Sequence, residues 1–141
     1  MEAATRTSVN MFLDTSGLMC LYDVKDRRQG SAINFYRNAH QRLTSSYVLS
    51  EFIALAYARK APRADALSFV ADIHDAGSVE IVWVDEALHR RAFALLLSRM
   101  DKTYSLCDAV SFVLMRERGI TDALTSDKHF EQEGFARLLM P

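Results

Sequence analysis

Apolar residues along the chain fall into short runs that alternate with longer stretches, in which they recur every three or four positions. Short runs rich in β-branched and aromatic residues are typical of buried strands, whereas the wider spacing is typical of helices packed on one face. We predict strands at residues 9–13, 43–45, 79–84 and 123–125, with an edge strand at 135–140. We predict a helix capped by Ser16 that continues to residue 22, and further helices at 33–43, 47–60, 65–75, 86–99 and 105–118.

Strands that alternate with longer helices predict a mostly parallel sheet with helices on both faces. The expected fold is therefore of the α/β class, a three-layer α/β/α sandwich around a central sheet. No internal repeat, low-complexity tract or linker interrupts the chain, so we expect residues 1–141 to form a single domain. In such sheets ligands bind beyond the carboxyl ends of the strands, and the residues that end each strand are the first candidates for a site.

Three aspartates occupy positions that this rule selects. Asp14 directly follows the first predicted strand, Asp127 follows the last inner strand by two residues, and Asp108 lies in the first turn of a predicted helix. Each also has an ordinary structural explanation. Asp14 and Asp127 could cap helices, and the spacing of Asp108 from Ser105 resembles a capping box.

A fourth carboxylate, Glu51, lies in the first half of a predicted helix. Its neighbours one turn away are apolar or aromatic, so we expect the Glu51 side chain to face inward rather than toward bulk water. A buried ionised group needs a partner. The ordinary explanation is an ion pair with Arg59 or Lys60, although neither is well spaced for it within the same helix.

The four carboxylates together predict a metal site if they converge. Two carboxylates ~4 Å apart repel by roughly 4 kcal/mol at an effective dielectric constant of about 20, and a cation compensates for that repulsion. Oxygen ligands favour Mg²⁺ or Mn²⁺, and the four histidines show no spacing typical of zinc sites. A bound divalent ion activates water for phosphodiester hydrolysis. No serine, and neither cysteine, has the sequence context of an activated nucleophile.

Composition and charge exclude several classes of protein. Half of the 141 residues are apolar and a quarter are charged, which excludes a disordered chain. The net charge of −1 indicates no overall basic field, so RNA binding would require basic residues segregated from the acidic site. Residues 1–10 lack the apolar region of a signal peptide, and no apolar stretch is long enough to span a membrane. With only two cysteines, Cys20 and Cys107, and no disulfide framework, we expect a cytoplasmic protein.

Four short motifs occur in order along the chain. They are Phe-Leu-Asp-Thr-Ser-Gly-Leu at residues 12–18, Ser-Glu-Phe at 50–52, Ser-Leu-Cys-Asp-Ala at 105–109, and Thr-Ser-Asp-Lys-His-Phe at 125–130, followed by Gly-Phe at 134–135. In order, spacing and total length they resemble the motifs of the PIN-domain family, and in particular its small VapC-type members, the toxins of toxin–antitoxin pairs. Each motif alone is weak, but the ordered set of four is specific.

The resemblance implies an Mg²⁺- or Mn²⁺-dependent endoribonuclease that forms a homodimer, is inhibited by a small antitoxin and cuts RNA, with tRNA or rRNA as the expected substrate. The metal-binding and catalytic residues it implies are Asp14, Glu51, Asp108 and Asp127. It also implies that the hydroxyls of Thr125 and Ser16 support this site. Asp122 is a further acidic residue near the last inner strand, which we interpret as a turn residue or at most an indirect contributor.

RNA contacts are expected from basic residues just before the third motif. Arg99 and Lys102 are the candidates for phosphate contacts, with Arg90 and Arg91 further away. Solvated helix surface is the ordinary explanation for each. Tyr104 could stack on an unpaired base, or could equally be a core or interface residue.

Other functions share parts of this pattern. Haloacid-dehalogenase-like phosphatases need Asp-x-Asp after the first strand, but residue 16 is a serine. Receiver domains need paired acids early in the chain and a lone aspartate near its middle, and neither is present. Within the PIN fold, a housekeeping RNA-processing nuclease or a non-cutting module that binds RNA or a protein partner remains an alternative.

Overall fold

A computed structural model describes residues 9–141, in which five strands form one parallel sheet in the order β3-β2-β1-β4-β5. The strands are β1 (Val9–Leu13), β2 (Ala39–Ser45), β3 (Glu80–Val82), β4 (Asp122–Leu124) and β5 (Ala136–Arg137). The helices are α1 (Thr15–Tyr22), α2 (Gln29–Asn38), α3 (Ser46–Ala58), α4 (Arg63–Asp75), α5 (Glu86–Leu97), α6 (Leu106–Arg118) and α7 (Lys128–Gln132). The prediction that residues 1–10 are not a signal peptide falls almost entirely outside the described residues.

The central strand β1 organises the sheet. It pairs with β2 on one side and with β4 on the other, and Met11, Phe12 and Leu13 have no exposed surface. A strand buried on both faces reads as an uninterrupted apolar run, which is why its position could be predicted from the sequence. Because all its neighbours are parallel, the carboxyl ends of β1, β2 and β4 lie along the same edge of the sheet.

The helices form two layers. The connections from β1 to β3 move across the sheet in one direction and carry α1–α4, whereas the later connections move in the other direction and carry α5–α7. Right-handed crossovers then place the two groups on opposite faces. Accordingly, α1 packs against α2 and α3, while α6 packs against α5 and α7. The predicted α/β/α sandwich is confirmed. None of the helices in residues 9–141 combines the length and apolar character needed to cross a bilayer.

The prediction of a helix at residues 33–43 is wrong at its carboxyl-terminal end. The helix ends at Asn38, and Ala39, which has an extended backbone, begins a strand that pairs with Val9 and the residues after it. Helical spacing of apolar residues is a local signal, and the hydrogen bonds of the sheet override it here. The strand predicted at 43–45 is therefore only the buried end of β2. Likewise, the edge strand predicted at 135–140 is limited to Ala136–Arg137.

Gly17 allows α1 to lie directly against β4. A Cβ atom at this position would be 2.0 Å from the backbone oxygen of Leu124 and 2.7 Å from its carbonyl carbon. The same Leu124 oxygen accepts a hydrogen bond from the Asp14 backbone N–H at 3.2 Å. The close approach of α1 to β4 therefore brings the first and last sequence motifs together.

We expect Gly17→Ala to lower the free energy of unfolding by about 1–3 kcal/mol, because the added methyl group must push α1 away from β4. Gly30→Ala is the matched control, since Gly30 also lies in a helix but has open space around it. That substitution should be neutral or stabilise the protein by up to ~1 kcal/mol through helix propensity. Urea unfolding of the two variants provides the comparison, and equal free-energy changes would contradict the proposed contact.

Candidate active site

An open cleft of about 400 Å³ lies beyond the carboxyl ends of β1 and β4. All four predicted carboxylates line it. The lining residues are Asp14, Thr15, Ser16, Glu51, Leu55, Thr103, Ser105, Asp108, Asp127 and His129. The topology therefore brings together side chains from four separate segments at the edge where parallel sheets bind ligands.

Asp14 occupies the N-cap position of α1 without acting as a cap. Its side chain makes no capping hydrogen bond and is only 4% exposed. Instead, one carboxylate oxygen accepts hydrogen bonds from the hydroxyls of Thr125 at 2.7 Å and Ser16 at 3.5 Å. The prediction that Ser16 caps this helix is wrong, because its hydroxyl lies beside Thr125 and accepts a hydrogen bond from the Ser126 N–H. Asp14 thus directs its carboxylate into the cleft.

Asp108 and Asp127 both cap helices and both line the cleft. Asp108 forms a complete capping box with Ser105 at the start of α6 and is also largely buried in the cleft. Asp127 caps α7 by accepting a hydrogen bond from the His129 N–H at 2.9 Å. Its own backbone N–H donates to the Thr125 hydroxyl at 3.0 Å. Capping fixes the position of each carboxylate and leaves oxygen lone pairs facing the cleft.

Glu51 lies at the open mouth of the cleft. It is exposed, so the prediction that it faces inward is wrong, although its neighbour Phe52 is fully buried. The Glu51 carboxylate accepts a hydrogen bond from the Thr15 hydroxyl at 2.5 Å. Among the described residues it forms no ion pair with Arg59 or Lys60, which removes the ordinary explanation for its position.

The electrostatics of the cleft disfavour the ionised forms of Asp14 and Asp108. The pKa of Asp14 is raised to about 7, chiefly by burial and to a smaller extent by the charges of Asp108 and Glu51, while the hydrogen bond from Thr125 opposes the shift. Burial also raises the pKa of Asp108, to which the charge of Asp127 contributes. The donors present do not offset the cost of collecting these charges. An arrangement of crowded oxygen ligands with raised pKa values fits a divalent cation.

Cys107 lies beside the cleft, but it is not a nucleophile. Burial raises the pKa of its thiol, and the charges of Glu51 and Asp14 raise it further. A thiol in this environment stays protonated, whereas nucleophilic cysteines need a lowered pKa. Cys20 is buried, and burial raises its pKa to about 11. Both cysteines are free thiols; the expectation that both are buried holds for Cys20 but not for Cys107, which is partly exposed.

His129 belongs to the cleft and was missed by the sequence analysis. Its Nδ1 lies 2.8 Å from an Asp108 oxygen and 3.5 Å from an Asp127 oxygen, and its Nε2 lies 3.2 Å from the Thr103 hydroxyl. The signal was the Asp-x-His spacing at residues 127–129, which places both side chains in the first turn of a short helix. The histidines were judged only by the short spacing typical of zinc sites. That criterion failed for His129, because its other partners, Asp108 and Thr103, come from a distant part of the chain.

Arg99 and Lys102, the predicted RNA contacts, do not line the cleft. Arg99 forms a two-bond ion pair with Glu133, whose side chain is 3% exposed. Lys102 lies next to the cleft residue Thr103, and its Nζ is 3.8 Å from Asp101. Their roles as RNA contacts stay predictions.

Glu133 anchors the carboxyl-terminal end of α7, the helix that Asp127 caps. Burial opposes ionisation of this carboxylate, but hydrogen bonds from Arg99, Arg116 and Tyr104 outweigh it and lower its pKa to about 2. Tyr104 is accordingly a core residue, 8% exposed, with its hydroxyl 3.1 Å from Glu133. The carboxyl-terminal end of α7 is therefore held by three side chains from outside that helix.

We expect Glu133→Gln to lower the free energy of unfolding by roughly 1–3 kcal/mol, because two partly exposed arginines lose their buried counter-charge. Glu80→Gln, which breaks the exposed two-bond pair with Arg118, is the control and should cost less than about 1 kcal/mol. The wild-type contribution should be lost as the pH falls from the ordinary glutamate range toward 2, since the folded pKa is lowered. Urea unfolding across the acid range tests both points, and a pH-independent difference would contradict them.

The family model of the PIN domain matches residues 11–135. The chain belongs to the PIN-domain family. A curated relative, the 23S rRNA-specific endonuclease VapC20 of Mycobacterium tuberculosis, is 31% identical over 129 residues, which cover 91% of this chain and 97% of that protein. The crystal structure of that protein, a sarcin–ricin loop cleaving toxin, matches with a TM-score of 0.82 and covers 93% of this chain and 99% of that one.

Two solved structures with lower sequence identity share the PIN fold. VapBC2 from Rickettsia felis, bound to a DNA fragment from its promoter, has a TM-score of 0.64 at 12% identity and covers 92% of this chain and 96% of that one. FitAcB from Neisseria gonorrhoeae has a TM-score of 0.58 at 16% identity, with 90% and 95% covered. The predicted resemblance to VapC-type PIN ribonucleases is confirmed, and with it the prediction of a ribonuclease. That residues 1–141 are one domain stays a prediction.

The raised pKa of Asp14 predicts how stability depends on pH in the metal-free protein. The folded chain binds more protons than the unfolded chain between the ordinary pKa of 3.8 and the folded value of about 7, so the free energy of unfolding should fall as pH rises through this interval. The upper limit of this loss is about 4 kcal/mol. Urea unfolding in EDTA between about pH 4 and about pH 8 measures it. The difference between wild type and Asp14→Asn isolates the contribution of Asp14, and parallel pH profiles would contradict it.

Proposed function

We propose that this PIN protein is a divalent-metal-dependent endoribonuclease in which Asp14, Glu51, Asp108 and Asp127 hold Mg²⁺ or Mn²⁺ at the carboxyl edge of the sheet. The observation that carries the proposal is the convergence of the four carboxylates, with the pKa of Asp14 raised to about 7. When bound, a divalent ion supplies an activated water and neutralises charge at the phosphodiester that is cut.

The side chains around these carboxylates position them for this role. The hydroxyls of Thr125 and Ser16 hold the buried Asp14 oxygen, and Thr125 also accepts the Asp127 backbone N–H. The Thr125 hydroxyl therefore positions two of the four proposed metal ligands, Asp14 and Asp127. The exposed Glu51 carboxylate at the mouth of the cleft accepts a hydrogen bond from the Thr15 hydroxyl, which directs it toward the other carboxylates.

We propose rRNA as the substrate, in a stem-loop of the sarcin–ricin type, in preference to tRNA. The support is the 31% identity over nearly the full length of both chains to a 23S rRNA-specific, sarcin–ricin loop cleaving toxin. Of the two predicted phosphate contacts, Lys102 is the better placed, because it adjoins the cleft and its only ion pair among the described residues is the long contact to Asp101. Arg99 is instead occupied by buried Glu133.

We further propose that the protein is the toxin of a VapBC-type pair, is inhibited by a small antitoxin, and acts in the cytoplasm, where ribosomes are found. The similarity to VapC20 supports the first two points. We also propose a homodimer. Its support is an apolar surface on and just after α5, formed by Phe93, Leu97 and Met100, which are 51%, 59% and 79% exposed.

The experiment is a cleavage assay with the purified, partner-free protein. A 23S rRNA fragment containing the sarcin–ricin loop and a mixed tRNA sample are incubated with Mg²⁺ or Mn²⁺. We expect one discrete cut in the rRNA fragment, abolished by EDTA and reduced roughly 100-fold or more in Asp14→Asn and Asp108→Asn, because each removes a metal ligand.

Asp122→Asn is the matched control for these variants. Asp122 begins β4, lies outside the cleft and interacts with the neighbouring Thr121 hydroxyl, so its amide variant should cut like wild type. Cutting that persists in both Asp14→Asn and Asp108→Asn would overturn the assigned site. Cutting of tRNA alone would overturn the rRNA substrate but keep the nuclease, and metal binding without any cutting would favour a binding module.

A further inference from the structure

His129 contributes a nitrogen atom to a cleft whose acidic side chains offer only oxygen atoms. One ligand atom each from Asp108, Asp127 and His129 lies within 4.8 Å of the other two. The imidazole Nδ1 faces both carboxylates, at 2.8 Å from Asp108 and 3.5 Å from Asp127. Asp108 lies in the first turn of α6, whereas Asp127 and His129 lie at the amino-terminal end of α7.

The spacing of these atoms fits donors to a single ion. Adjacent donors of an octahedral ion with bonds of about 2.1 Å lie about 3 Å apart, and opposite donors about 4 Å apart. The two distances from Nδ1, 2.8 and 3.5 Å, fall within that range, and all three donors lie within 4.8 Å of one another.

The other side of the imidazole is built as metal-binding histidines require. Nε2 lies 3.2 Å from the Thr103 hydroxyl, whose oxygen can accept a hydrogen bond from Nε2–H and so leave the Nδ1 lone pair facing the carboxylates. An outer partner that fixes the tautomer in this way accompanies nearly every histidine ligand. The ring of Tyr104 packs edge-on against the imidazole, with centroids 5.2 Å apart, and fixes its plane. Thr103 therefore fixes the orientation and tautomer of the His129 imidazole.

We propose that His129 Nδ1 is a metal ligand alongside Asp108 and Asp127, and that it makes the site select Mn²⁺ over Mg²⁺. The proposal rests on the proposed function and deepens it by choosing between the two ions. Mg²⁺ keeps to oxygen ligands and water; Mn²⁺ shares the preference for oxygen, but as a first-row transition-metal ion it accepts an imidazole nitrogen more readily than Mg²⁺ does. The competing arrangement is a simple pair in which Nδ1–H donates to Asp108; it predicts no nitrogen on the metal and no selectivity.

The test measures metal binding without RNA. Chain freed of metal with EDTA is titrated with Mn²⁺, followed by electron paramagnetic resonance, and Mg²⁺ affinity is obtained by competition. We expect His129→Gln to weaken Mn²⁺ binding roughly 10- to 100-fold and Mg²⁺ binding less than about 3-fold. His89→Gln is the control, because His89 pairs with the Tyr47 hydroxyl outside the cleft and should leave both affinities unchanged.

Spin-echo modulation of bound Mn²⁺ provides a readout that a merely structural role would not change. A directly bound imidazole gives ¹⁴N modulation, which should be present in wild type and in His89→Gln and lost in His129→Gln. Thr103→Val, which removes only the Nε2 partner, should keep the modulation and weaken Mn²⁺ binding by a smaller factor than His129→Gln. This second variant keeps the test decisive if His129→Gln folds poorly.

Three results would overturn the inference: wild-type Mn²⁺ without ¹⁴N modulation, equal losses of Mn²⁺ and Mg²⁺ affinity in His129→Gln, or no loss of either. In each of these cases the proposed function stands as long as Asp14→Asn and Asp108→Asn still weaken metal binding and abolish cutting. If those two variants bind metal and cut RNA like wild type, the proposed function fails together with the inference.

Discussion

The cost of burying carboxylates at one edge of the sheet is the constraint on which the site depends. Asp14 bears most of it: burial, with smaller contributions from the charges of Asp108 and Glu51, raises its pKa to about 7. Hydroxyl donors from Thr125 and Ser16 hold the carboxylate in place but do not neutralise it. Folding therefore gathers negative charge that a divalent cation can neutralise. A cation that binds only the folded chain would also stabilise the whole protein.

The scaffold meets this constraint through close backbone packing. α1 can approach β4 only because residue 17 has no side chain, and this approach places Asp14 next to Thr125. The Thr125 hydroxyl then connects two chain segments more than a hundred residues apart, since it donates to Asp14 and accepts from the Asp127 N–H. Gly17 in the first motif therefore helps to position the site although it contributes no side chain to it.

A second buried carboxylate, Glu133, lies outside the cleft, and its pKa is shifted in the opposite direction to that of Asp14. Glu133 is buried like Asp14, but two arginines and the Tyr104 hydroxyl satisfy it, and its pKa falls to about 2. Tyr104 also packs on the imidazole of His129, which connects this satisfied cluster to the unsatisfied one. The contrast between the two buried carboxylates distinguishes a group that stabilises the fold from groups prepared for an external ion.

The sequence by itself determined the α/β class and the position of β1, because a strand buried on both faces is a local pattern, and it pointed to the four carboxylates that the fold brings to one cleft. The ordered motifs were enough to indicate the PIN-domain family. Tertiary structure decided the rest. Pairing with β1 turned residues 39–43 into a strand against their helical spacing, since sheet hydrogen bonds outweigh local propensity. Contacts between distant segments, which no spacing along the chain encodes, decided three further features. Glu51 is exposed, Arg99 forms an ion pair with Glu133, and His129 lies beside Asp108.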